Sequence, residues 1–265
     1  MTTLKTSKSV IVWSSTIALL VLVASLYGLF DPSAYSKETL NWATQAKGQD
    51  IGNLIAVVAL AVSGYLYAKG SYKAALIWLG TLFYLIYAYI IYSMAVHFSS
   101  LFLIYIAVLG LCSYAVVFNI GKIMGHKAVY PASSRKFAAC SLIAFGTLFA
   151  LLWLSEVIPA LIAGHAPQST IDAGLWVNPV HVIDLSVVLP AFILTGIYAL
   201  KGKTNGLFLL APWLAFTAIM GLSIVASMLL MGGDGFAAIL PPLVIISLIV
   251  VVSCAALWRY LRKTA

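Results

Sequence analysis

Of 265 residues, 63% are hydrophobic and 8% charged, with a mean hydropathy of +1.07, whereas a soluble domain carries about 25% charged residues. That balance excludes a soluble globular domain, and apolar runs of about 20 residues exclude the short alternating strands of an outer-membrane barrel. The net charge of +8 does not indicate nucleic acid, because basic residues beside membrane helices report orientation and contact with anionic lipid at the cytoplasmic face.

The chain reads as an all-α, polytopic helical membrane protein with about eight transmembrane helices, at 10–30, 51–68, 74–96, 101–120, 138–161, 180–200, 206–231 and 238–258. The first run follows Lys5 and Lys8 and is longer than the roughly 7 to 15 apolar residues of a signal peptide, so it is retained as a span. After it, Asp31-Pro32 has the look of a helix start and Gly48 of a stop, which predicts a short interfacial helix over 32–47 with Trp42 at headgroup level. The second long outer loop, bracketed by Gly164, Pro167 and Pro179, carries Trp176. Cys112, Cys140 and Cys254 fall in different spans without a C-x-x-C pair and read as small hydrophobes.

The charges fix the expected orientation. With the N-terminus inside, every basic residue except Lys37 and Lys47 falls in an inner loop or end, so both termini are expected in the cytoplasm, in a plasma or bacterial inner membrane. Asp31, Glu38, Asp50, Glu156, Asp172, Asp184 and Asp234 fall at or beyond the outer helix ends, and His97, His165 and His181 join them.

Residues 64–70 (GYLYAKG) resemble 196–202 (GIYALKG), and Asp50 and Asp184 precede the two copies. Two halves of four helices in the same orientation would follow, related by an axis along the membrane normal. The halves are 1–120, with an outer loop at 31–50, and 138–265, with an outer loop at 162–179; a basic cytoplasmic connector, 121–137, joins them.

His181 and Asp184 lie three residues apart, on one helical face. Counted back from Lys201, Asp184 is about 25 Å and His181 about 30 Å away, near the outer boundary. Asn178 precedes them, and Pro190 is expected to kink the helix below. Asp50 and Asn53 repeat the three-residue spacing on the second span. Glu156, among Trp153, Leu154, Val157 and Ile158, needs a partner, expected to be a histidine or Asn178. His97 sits in the tight turn after the third span. His97, His181, Asp184 and Glu156 suit zinc by atom type, but no compact ligand spacing supports a metal.

The tyrosines of the third span, Tyr84, Tyr87, Tyr89 and Tyr92, read as packing and cross-helix hydrogen bonding. No mid-span lysine, paired haem histidines, or Walker, dinucleotide or G-x-S-x-G signature occurs, so no cofactor is indicated.

The leading reading is an outward-facing polar pocket at the mouths of spans 2, 5 and 6. It would bind a cation, small polar solute or lipid headgroup in a transporter or solute-binding protein, with Pro190 and the run Gly232-Gly233-Asp234-Gly235 permitting movement. A membrane-embedded enzyme acting on a lipid-borne substrate at the outer leaflet is the second reading, and a non-catalytic accessory or assembly subunit the third. The sequence specifies no oligomeric state.

Overall fold

The computed structural model describes residues 8–126, 128–130, 132–232 and 236–264. Lys5, Lys127, Gly233, Asp234 and Gly235 lie outside the described residues, so the expected mobility of 233–235 and the sidedness of Asp234 fall there too.

The protein is built of helices: α1 (Lys8–Phe30), α2 (Leu40–Ala68), α3 (Tyr72–Ala95), α4 (Phe102–Met124), α5 (Ala132–Ala163), the short α6 (Gln168–Asp172), α7 (Pro179–Ile183), a π-helical turn (Asp184–Val188), α8 (Leu189–Leu200), α9 (Thr204–Met231) and α10 (Phe236–Lys263). Among the described residues eight stretches are long and apolar enough to cross a membrane, with α7, the π turn and α8 forming one of them. Leu19 and Val23 on α1, Val58 and Val62 on α2, and Val244 and Leu248 on α10 are among the large apolar side chains left exposed. Such outward hydrophobic faces fit an integral membrane protein, in which lipid replaces water as the neighbour.

α1 packs on α2 and α4, and α3 on the same two. In the second half α5 packs on α8 and α10, and α9 on those two, while α9 also packs on α2 and α3. Each half is thus a ring of four, and the rings meet along α2, α3 and α9. The seam is close because small residues line it, as membrane interfaces without a strong hydrophobic drive require. A Cβ at Gly48 of α2 would lie 2.3 Å from the Ser227 Cα of α9, and one at Gly80 of α3 would lie 2.3 Å from the Pro212 carbonyl oxygen.

Three expectations need correction. The segment 32–47 is not a separate interfacial helix: residues 32–37 form turns, and α2 starts at Leu40 behind its N-cap, Thr39, whose hydroxyl accepts from the Trp42 N–H. Gly48 is not a stop, because its missing Cβ serves the contact with Ser227 inside a continuous 29-residue helix. Trp42 is buried, its indole donating to the Ala95 carbonyl at 2.7 Å, so it ties α2 to the end of α3 instead of meeting headgroups. Trp176 is fully exposed. Of the cysteines, Cys112 is buried, whereas Cys140 and Cys254 are exposed; all three are free.

Most of 121–137 is helical, since α4 runs to Met124 and α5 begins at Ala132. The two acidic-end loops touch: the Thr39 hydroxyl donates to the Ala173 carbonyl at 3.1 Å. Asp31 holds its own loop, accepting from the Ser33 N–H at 2.8 Å and hydroxyl at 2.6 Å. The Ser33 hydroxyl and N–H together hold the Asp31 carboxyl below its ordinary range.

Candidate functional site

Pro190 has no N–H to give to Ser186, so a regular α-helix would leave a carbonyl unpaired there. The chain widens instead into the π turn Asp184–Val188, in which the Leu189 N–H bonds back to the Asp184 carbonyl, and α8 restarts with Pro190 in its first turn. The expected kink therefore takes the form of a π bulge beginning at Asp184, a device common at functional positions.

Asp184 is 9% exposed and its Oδ2 accepts from the Trp153 indole N–H at 2.8 Å. The Tyr87 phenol, from α3 of the other ring, faces the same carboxylate. Among the described residues Asp184 makes no ion pair. It lines a cavity of about 80 Å³ together with Trp153, Tyr87, Phe149, Phe192 and Phe216 and with aliphatic side chains of α8, α9 and α10. Above this lies a wider vestibule of about 350 Å³, bounded by Trp42, Gln45 and Gln49 of α2, by Asn178, by Ser169 and Ala173 of the loop, and by Met220, Met228 and Met231 of α9. The two spaces share Tyr87, Trp153, Val180, Met220 and Ile224, so the inner cavity adjoins the outer one.

His181 packs against Trp153 with the rings tilted and their centroids 4.9 Å apart, and its Nε2 lies 3.8 Å from Glu156 Oε2, an ion-pair separation and not a hydrogen bond. Glu156 accepts a 2.6 Å bond from the Ser169 hydroxyl. The serine proton is directed to the carboxylate and not to His181, so the trio lacks the serine-to-histidine bond of an activated nucleophile. Asn178 caps α7, its Oδ1 accepting from the Val180 N–H at 2.9 Å.

The structure thus brings Glu156, His181, Asp184 and Asn178 to one region, linked by Trp153. It separates the others from them. Asp50 and Asn53 face the interior of the first ring, where Asp50 accepts from Tyr35 at 2.7 Å and Tyr92 at 2.8 Å. His97 pairs with Glu38, its ring Nδ1 3.0 Å from the carboxylate and its N–H donating at 2.7 Å. The single pocket expected at the mouths of spans 2, 5 and 6 therefore becomes a vestibule shared with α3 and α9, plus a distinct centre at Asp50. Among the described residues no three histidine, cysteine or carboxylate side chains gather as a metal site; His97 and His181 each meet one glutamate.

The aromatic wall was hidden from sequence reasoning. Phe149, Phe192 and Phe216 occupy helical positions where core packing and ligand contact look alike. The one local signal was Glu156 three residues after Trp153, which marks a polar opening beside an indole. Nothing matches this chain in comparisons with protein-family models, with curated proteins or with solved structures.

Proposed function

We propose that the protein binds a small organic cation of the alkylammonium class from the outer face of the membrane, as a transporter or solute-binding membrane protein. One observation carries this reading: Asp184 is an unpaired, buried carboxylate at the end of a cavity walled by Trp153, Tyr87, Phe149, Phe192 and Phe216. Aromatic faces attract cations through their quadrupoles, by about 0.5–1 kcal/mol when exposed and about 2 or more when desolvated. A lone carboxylate without a cationic partner is costly at this depth, and a bound ammonium group offsets that cost. The vestibule polar groups, Gln45, Gln49 and Asn178, would meet the solvated remainder of the ligand.

The outward direction rests on the charge map, which places the acidic end on the non-cytoplasmic side, with both termini inside and a bacterial inner membrane as the setting. The parallel 4+4 repeat is supported by the equal neighbour order of the two rings. It pairs Asp50 of α2 with Asp184 of the sixth span.

The test compares choline with 3,3-dimethyl-1-butanol, its neutral isostere, by titration calorimetry on the purified protein in lipid nanodiscs. Binding of choline with no detectable heat from the alcohol supports the reading. Equal binding of both, or of neither, contradicts it.

A further inference from the structure

The interior of the first ring holds a second polar centre that the organic-cation reading does not use. Asp50 is 2% exposed and has no ion pair among the described residues. Tyr35 and Tyr92 donate to its two oxygens. Burial raises the pKa of the Tyr35 phenol, which lies in the loop, so that it stays a donor. Two phenols do not neutralise a charge, and a buried carboxylate without a counter-charge is strongly disfavoured.

Around this carboxylate are polar atoms with no hydrogen-bond partner. Asn53, one turn along the same face of α2, is 0% exposed, and neither its amide oxygen nor its nitrogen is bonded. The hydroxyls of Ser25, Tyr89 and Tyr105 are likewise buried and unbonded. Tyr89 and Tyr105 lie within electrostatic reach of Asp50, and the Ser25 hydroxyl lies close enough to favour its carboxylate. Tyr89, Tyr92 and Tyr105 pack ring to ring, with centroids 5.0 to 6.0 Å apart. Buried polar groups are nearly always satisfied, so this many unpaired oxygens around one carboxylate calls for a guest.

We propose that Asp50, Asn53, Ser25, Tyr89 and Tyr105 form a binding site for one alkali-metal cation of Na⁺ size. The donors are all hard oxygens, which suit a hard cation. One carboxylate balances one positive charge, so a divalent ion would remain half uncompensated. Space beside the carboxylate is limited on the α1 side, where a Cβ at Gly28 would lie 2.1 Å from Asp50 Oδ2 and 2.6 Å from the Tyr35 hydroxyl, and Na⁺ needs less of it than the larger K⁺. This site is independent of Asp184 and stands whether or not an organic cation binds there.

The experiment is thermal unfolding of the full chain in nanodiscs while NaCl replaces KCl at constant ionic strength. A ligand that binds only the folded state raises the midpoint with its concentration. The expected result is a saturable rise in NaCl that persists in Asp184→Asn and disappears in Asp50→Asn. In Asn53→Ala the half-effect should need about tenfold more NaCl, the loss of one good ligand. The wild-type comparison needs no variant, so a misfolding substitution does not blunt the test. Equal midpoints in NaCl and KCl overturn the proposal, as does a NaCl response unchanged in Asn53→Ala.

Discussion

Asp50 lies in the first ring and Asp184 in the second, and their surroundings differ. Asp50 accepts from two phenols, Tyr92 of α3 and Tyr35 of the loop, with further buried hydroxyls nearby. Asp184 meets one indole and one phenol, and beyond them apolar walls and an open vestibule. A buried carboxylate takes its chemistry from what surrounds it. Oxygen donors close by suit a bare inorganic ion, whereas aromatic faces and open space suit an organic cation.

The comparison breaks most readily at the charges themselves. Asp184→Asn is predicted to weaken choline binding by about 30-fold or more, since removing one partner of a buried charge contact costs about 2–5 kcal/mol. Asp50→Asn should leave choline affinity unchanged in the same calorimetric assay. The opposite pattern would mean that the roles of the two acids are exchanged.

A smaller effect tests how the first centre is held. The single phenol proton of Tyr92 is shared between Asp50 Oδ1 at 2.8 Å and the Ala46 carbonyl at 3.0 Å, so Tyr92→Phe should lower stability by about 1.5–3 kcal/mol in a denaturation series, the range for a hydrogen bond to a charged group. Choline affinity should not move. Gly48→Ala probes the seam between the rings: its Cβ would press on the Ser227 backbone, and overpacking of this kind costs about 1–3 kcal/mol by the same readout.

Trp153→Phe keeps an aromatic face beside the second cavity but removes the donor to Asp184. Choline affinity should fall by about 3- to 10-fold, with less effect than Asp184→Asn. The smallest effect concerns Asp31. Its carboxyl is held below the ordinary range in the folded loop, so its contribution is present above the unfolded pKa and is lost as pH falls through the lower folded value. Faster amide exchange at Ser33 only in strongly acidic solution would report this.

Much of this arrangement was legible in the sequence. Eight apolar runs account for the spans, and the three-residue spacings at Asp50/Asn53 and His181/Asp184 drew attention to polar side chains that the fold buries. The start of α2 was misplaced because Asp31-Pro32 looks like a helix start and Gly48 like a stop, which cut Asn41, Thr44, Gln45 and most of that stretch off from the second span. In the fold they continue a helix whose side chains border the vestibule and the seam. Which acids share a site could not be read from spacing, since that depends on which ring each helix faces. The proline at 190 signalled a disturbed helix, but whether it bends or widens is decided by packing.

The most direct test of the central claim is a crystal structure with arsenocholine, in which arsenic replaces the choline nitrogen and marks the cation by anomalous scattering. The account predicts one strong peak in the cavity beside Asp184, among Trp153, Tyr87 and Phe216. A peak at Asp50, or none between those rings at saturating ligand, would contradict it.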